Sequence, residues 1–302
     1  MRQKCILIFA IVLCLSVMAG CNNQNIETDV KEEESVEGSL VKCAEFDGKQ
    51  MEYIHFGTVG NETLVILPGL SLKSVMGSAE GIVNAYQLLA KKYEIYLFDH
   101  IKKEPQGYTI SGMADDTLRA FKELGIEHTH LMGVSMGGMV AQTIALKDAD
   151  KVDSLILCST TSNVKDMDQS ALLNWKKLAE EKDLSSLMAS FGEKVYSKDF
   201  YEKYKDIIIA SGEGTSDLDY ANFLTSLSAI RDFDVKDQLK NIKCPIFVLG
   251  AGEDQVVGVE ASHDIVKETG CKYYIYEGYG HGVYDEAPDY LSRIDEFLDS
   301  IK

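Results

Sequence analysis

Thr129-His130-Leu131-Met132-Gly133-Val134-Ser135-Met136-Gly137-Gly138-Met139-Val140-Ala141-Gln142-Thr143-Ile144-Ala145-Leu146 decides the fold. Residues 129–132 make a short apolar strand, and residues 138–146 open an apolar helix. Between them, residues 133–137 read G-x-S-x-G. A serine at a sharp strand-to-helix turn is the arrangement of a nucleophile elbow. The turn is tight, so the residues flanking the serine must be small. The hydroxyl is lifted clear of the sheet, beside the positive end of a helix.

Serine is a poor nucleophile at neutral pH. It needs a base within hydrogen-bond reach, and that base needs an orienting acid. Downstream, Pro245–Gly250 reads as a buried strand and runs into Ala251-Gly252-Glu253-Asp254. Asp254 therefore sits on a loop leaving the carboxyl end of a strand, where open α/β sheets place their sites. Glu253 is the alternative acid, but as the adjacent residue it should point the other way. A further strand, Tyr273–Tyr276, leads to Glu277-Gly278-Tyr279-Gly280-His281-Gly282. His281 is the histidine in the place a base requires. His55, His100, His128 and His130 read as surface or strand-edge residues, with His100 at the end of a strand on the active-site edge. For an oxyanion hole, the backbone N–H of Met136 follows the nucleophile. A second donor is expected from Pro68-Gly69-Leu70-Ser71 after the strand Thr63–Leu67, with Leu70 N–H the choice.

Gly-Val-Ser-Met-Gly-Gly-Met-Val-Ala-Gln (133–142) resembles the elbow of single-domain esterases and enol-lactonases of the α/β-hydrolase superfamily. Leu239-Lys240-Asn241-Ile242-Lys243-Cys244-Pro245, followed by a strand and Asp254, resembles the stretch around that family's acid. The resemblance covers about residues 39–302. It implies Ser135 as nucleophile, His281 as base and Asp254 as its orienter. Three departures stand out. Pro68-Gly69 replaces the frequent His-Gly, which leaves a backbone donor intact. Asp99 is followed by His100-Ile101-Lys102-Lys103 instead of the common x-Arg-Gly, which weakens the transfer of any particular substrate. No tryptophan follows the nucleophile, which argues against the proline-iminopeptidase and haloperoxidase-like branches.

The rest of the body fits an α/β class, with strands expected at 40–46, 52–56, 63–67, 94–98, 129–133, 154–158, 246–250 and 273–276. Helical patterns at 79–91, 114–124, 136–146 and 288–301 alternate with the later strands. That predicts a mostly parallel eight-stranded sheet with helices on both faces. The first strands are joined too tightly for crossovers and should be antiparallel. From about 161 to 239 no strand is legible. Helix-period runs at 169–181, 184–191, 199–209 and 218–230 predict a helical cap inserted after strand six. Trp175, Met188, Phe191, Tyr201, Tyr204, Phe223 and Leu224 are candidates for the pocket wall or for cap core.

Met1-Arg2-Gln3-Lys4 followed by apolar Cys5–Ala19 has the form of a secretory signal peptide, residues 1–20. Met18-Ala19-Gly20-Cys21 resembles a bacterial lipobox, which implies a lipidated Cys21; an uncleaved amino-terminal anchor is the alternative. Residues 21–38 are rich in Asn and Glu and too polar to bury a core. They read as a disordered tether holding the domain at the outer face of a membrane. The formal charge is −18, and loss of Arg2 and Lys4 with the leader makes it −20. Such a surface disfavours nucleic acid. No C-x-x-C pair or His/Cys cluster points to a metal, and no cofactor is implied. Cys244 and Cys271 precede strands that should be neighbours, which allows a disulfide between them. The expected activity is hydrolysis of a small acyl ester or lactone. An amidase, peptidase or acyltransferase on the same triad, or a ligand receptor with slow turnover, are the rivals.

Overall fold

The computed structural model describes residues 40–302. The expected leader (1–20), the lipidation site Cys21 and the tether (21–38) lie outside the described residues. Eight strands form one sheet: β1 (Val41–Phe46), β2 (Lys49–Gly57), β3 (Thr63–Leu67), β4 (Glu94–Ile101), β5 (Thr129–Val134), β6 (Val152–Cys158), β7 (Ile246–Ala251) and β8 (Lys272–Tyr276). Their order is β1-β2-β4-β3-β5-β6-β7-β8. β1 pairs antiparallel with β2, and β2 with β4; every other pairing is parallel. The chain leaves β3 for β4 on one side, then returns to β5 on the other. That reversal opens a crevice at the carboxyl ends of β3 and β5, where doubly wound sheets bind ligands.

Side-chain alternation along the central strands feeds two cores. Val65, Leu67, Leu131, Leu155, Leu157 and Val248 face one side, while Leu64, Ile66, Met132, Ile156 and Leu249 face the other. A period of two in strands buried on both faces accounts for their near-continuous apolar sequence. On the first side lie α3 (Ile110–Leu124), α4 (Met136–Lys147) and α9 (Val259–Thr269). On the second lie α1 (Ala79–Ala85), α2 (Gln87–Ala90) and α11 (Tyr290–Asp299), the last preceded by the single turn α10 (Val283–Glu286). α3 shows the local logic clearly. Thr109 caps it by accepting from Gly112 N, and Gly125 at φ 71° ends it in the left-handed conformation that a Cβ disfavours.

Between β6 and β7 stand α5 (Gln169–Glu180), α6 (Leu184–Val195), α7 (Lys198–Ala210) and α8 (Asp217–Ile230), the helical cap. The starts of α5, α6 and α8 follow capping chemistry. Asp168 and Asp183 accept from the first turns of α5 and α6, and Ser216 with Asp219 completes a capping box on α8. The cap is tied down beside β4. Ser226 Oγ donates to both oxygens of Glu104 at 2.8 and 2.9 Å, and Asn222 bonds Glu104 N and Lys102 O.

Several expectations are corrected. The helix expected over 79–91 breaks at Tyr86, whose φ of −87° and ψ of 12° leave the helical region. α9 was not expected: Val259-Glu260-Ala261-Ser262-His263-Asp264 is too polar to stand out, and only Ala261, Ser262 and Ile265 are buried. His130 is no surface residue. It is buried at the start of β5, with Nδ1 2.9 Å from Ser154 Oγ. Cys244 and Cys271 are both free. β7 and β8 are indeed parallel neighbours, but Phe247 aligns with Lys272, so Cys271 lies level with Ile246 and two residues from Cys244. A strand spacing near 4.8 Å and a rise near 3.3 Å per residue then separate the pair by about 8 Å, beyond disulfide reach. Thiol titration of the denatured, unreduced domain is therefore expected to count Cys43, Cys158, Cys244 and Cys271 all as free.

Candidate active site

Ser135 stands between β5 and α4 with φ 51° and ψ −118°, a region that a residue with a Cβ rarely occupies. Holding it there costs about 1–3 kcal/mol, which its surroundings must offset. Ser135 N donates to Cys158 O at 2.8 Å, and its carbonyl accepts from Thr160 Oγ1 at 2.7 Å and from Gly138 N at 2.9 Å. The glycines are a steric necessity. A Cβ on Gly133 would lie 2.6 Å from Gly138 Cα, one on Gly138 2.6 Å from Thr160, and one on Gly137 far inside contact with Leu67 O. Met136 opens α4, so its N–H has no partner within the helix. Across from it, the loop after β3 presses close, and a Cβ on Gly69 would sit 3.1 Å from Ser135 Cβ.

Asp254 and His281 are brought together by the loops after β7 and β8. His281 Nδ1 lies 2.8 Å from Asp254 Oδ2, and both side chains are almost fully buried. The other carboxylate oxygen accepts from Val256 N at 2.8 Å and Val257 N at 2.9 Å. Burial by itself would raise the Asp254 pKa. The His281 charge, the His281 hydrogen bond and the two backbone donors outweigh it and hold the carboxyl below its ordinary 3.8. An ionised Asp254 fixes the neutral imidazole as the Nδ1–H tautomer, which places the ring's lone pair on Nε2. Glu253, the alternative acid, is exposed, whereas Asp254 is buried against His281.

Ser135, His281, Gly69 and Leu70 line one cleft. Its remaining wall is almost wholly apolar: Met167, Leu172, Trp175, Phe191, Val195, Ile230, Val256 and Tyr284. Of the cap residues considered from sequence, Trp175 and Phe191 reach the cleft, packed with ring centroids 4.8 Å apart. Met188, Tyr201, Tyr204, Phe223 and Leu224 pack into the cap core instead. His100 does not line this cleft. It borders a separate small cavity behind Pro68 and Gly137, together with Asp99, whose own carboxyl is raised by burial. Sequence reasoning missed Thr160, Val195 and Tyr284. The polar run Ser159-Thr160-Thr161-Ser162 directly after a buried strand was the available signal for Thr160. Among the described residues, no group of three or more His, Cys, Asp or Glu is placed to hold a metal.

Comparison with known proteins agrees with this fold. Residues 62–288 match the family described as alpha/beta hydrolase fold. The chain is 22% identical over 250 residues to the protein named "Putative carbamate hydrolase RutD" of Caulobacter sp. (strain K31), covering 78% of this chain and 90% of that one. It is 23% identical to the proline iminopeptidase of Heyndrickxia coagulans, covering 84% and 96%. The crystal structure of the enol-lactonase from Burkholderia xenovorans LB400 superposes with a TM-score of 0.72 at 18% identity, covering 85% of this chain and 100% of that one.

The Asp254 shift sets a pH dependence. Its folded pKa lies below the ordinary 3.8, so the stabilisation it gives is complete above about pH 4 and is lost as pH falls through the lower folded value. Thermal melts of wild type and Asp254→Asn are expected to differ at pH 6 and to converge as pH falls below the ordinary 3.8 and through the lower folded value.

Proposed function

The chain belongs to the alpha/beta hydrolase fold family, and on that premise we propose that it is a serine hydrolase of carboxylic esters or lactones. One observation carries the reading. A buried Asp254–His281 bond of 2.8 Å lies in the cleft that also holds Ser135 on a strained turn. In this reading Ser135 Oγ attacks the substrate carbonyl carbon while His281 Nε2 takes its proton. The N–H groups of Met136 and Leu70 hold the oxyanion, each worth about 3 kcal/mol in related sites. His281 then protonates the leaving alcohol as the tetrahedral species collapses to an acyl-enzyme. A water, deprotonated by His281, attacks the acyl carbon and restores the free serine. Asp254 stays ionised throughout and stabilises the imidazolium.

The relatives' names span a carbamate hydrolase, an iminopeptidase and an enol-lactonase, so membership alone does not select the acyl group. The wall of Leu172, Trp175, Phe191 and Ile230 offers no charged partner, which favours an uncharged, compact apolar acyl group over an anionic one. As part of the same proposal, residues 1–20 are a signal peptide and Cys21 carries the lipid that anchors the domain outside the cytoplasm. The support for that anchor is the leader sequence alone.

Turnover of p-nitrophenyl acyl esters of increasing chain length tests the proposal. The protein is expected to hydrolyse them with a preference for short acyl chains. Ser135→Ala should lose about 10³-fold or more in kcat/KM, with folding unchanged. Asp254→Asn, which keeps the shape but not the tautomer, should lose about 10³–10⁴-fold in kcat.

A further inference from the structure

The loop carrying His281 lies directly against the crossing from α6 to α7 in the cap. Gly282 N donates to Val195 O at 2.6 Å. Ser197 N donates to Glu286 Oε1 at 3.0 Å, and Ser197 Oγ donates to Glu286 Oε2 in a very short bond. Gly280 N–H also donates to the Glu286 carboxylate. Beside them, Tyr196 OH donates to Asp285 Oδ2 at 2.9 Å. The contact is so close that neither glycine beside His281 could carry a Cβ. On Gly280 it would meet Ser197 N at 2.6 Å, and on Gly282 it would meet Tyr196 Cε1 at 2.6 Å. Backbone thus packs on backbone, with one carboxylate collecting donors from both sides.

We propose that Glu286 and Ser197 form a clasp that makes the seating of the cap and the placement of His281 a single event. Glu286 is accordingly a positioning residue, acting through the loop that holds the base. A network inside the cap or inside the main domain alone could not do this. The clasp joins them, and it does so one residue either side of His281. Charge-assisted bonds to a half-buried carboxylate suit the task, being about twice as strong as neutral ones. The link also reaches the cleft wall. Val195 lines the cleft, and Phe191, one helical turn before it on α6, packs on Trp175. Opening the clasp would therefore loosen the wall and release the base together.

The kinetic consequence rests on the hydrolase reading, whereas the cap contact does not. Trp175 is the only tryptophan in the chain and is 1% exposed, so its fluorescence reports cap seating without turnover. Four full-length proteins are compared: wild type, Glu286→Ala, Glu286→Gln and Ser197→Ala. Acrylamide quenching of Trp175 is measured beside kcat and KM on the best p-nitrophenyl ester. Glu286→Ala is expected to lower kcat about 10–100-fold, the scale of a small misplacement of a reacting group, with KM within about threefold. Its quenching constant should rise at least about twofold, as local opening exposes the indole. Ser197→Ala should move both readouts in the same direction by less. Glu286→Gln, which still accepts from Ser197 N, should recover most of both. Should Glu286→Ala fail to fold, Ser197→Ala decides. Unchanged quenching in the folded alanine variants would overturn the clasp. So would a kcat within about twofold of wild type, because a merely structural role lowers the melting temperature while sparing kcat of the folded enzyme. If wild type cleaves no ester, the hydrolase reading fails separately, and the quenching comparison still decides the cap contact.

Discussion

The chain turns from β5 into α4 at a single residue, and everything in the site is arranged around making that turn possible. Ser135 occupies φ 51°, and Gly133, Gly137 and Gly138 pass so close to Leu67, Thr160 and one another that no Cβ would fit. The sheet enforces the turn from both sides. β6 supplies the carbonyl of Cys158 to Ser135 N, and β3 supplies the strand end against which Gly137 packs. A serine there stands proud of the sheet at the amino end of a helix, at the point where strand order reverses. The rest of the site has to be delivered to it.

Delivery comes from three loops at the same edge of the sheet. The loop after β3 brings Gly69 and Leu70 against the serine. The loop after β7 buries Asp254 among two backbone donors, and the loop after β8 places His281 against that carboxylate. Buried ion-paired groups are stable only when every lone pair is satisfied. Asp254 meets that condition with donors on both oxygens. The cap closes the cleft with Trp175, Phe191 and Ile230, and the contact between Val195–Ser197 and the His281 loop ties this wall to the main domain beneath it. Main domain and cap thus meet at the loop that carries His281.

Much of this was legible in the residues because local rules decided it. The elbow could be read because glycine spacing, a strand and a helix coincide within residues 129–146. Asp254 and His281 could be read because each follows an apolar run, and carboxyl ends of parallel strands converge. Strand existence was clear where both faces are buried, as in β5 and β6. What escaped depends on partners distant in sequence. α9 shows a narrow apolar stripe that only packing against β7 makes helical. The burial of His130 follows from its place at the start of a central strand, and the register of β7 on β8 separates Cys244 from Cys271. Gly280 and Gly282 could be seen as loop glycines. That they are glycines because the cap lies against them is a fact of tertiary contact, invisible until Tyr196 and Ser197 are in place.

The central claim is that Ser135 is a nucleophile activated by His281. Covalent capture tests it without assuming a substrate. The protein is treated with a fluorophosphonate probe and digested, and the modified peptide is identified by mass spectrometry. The account predicts one adduct, on the Ser135 peptide, whose formation slows at least about 10³-fold in His281→Ala while the protein stays folded. An adduct on another residue, or labelling of Ser135 at the same rate without His281, would contradict it.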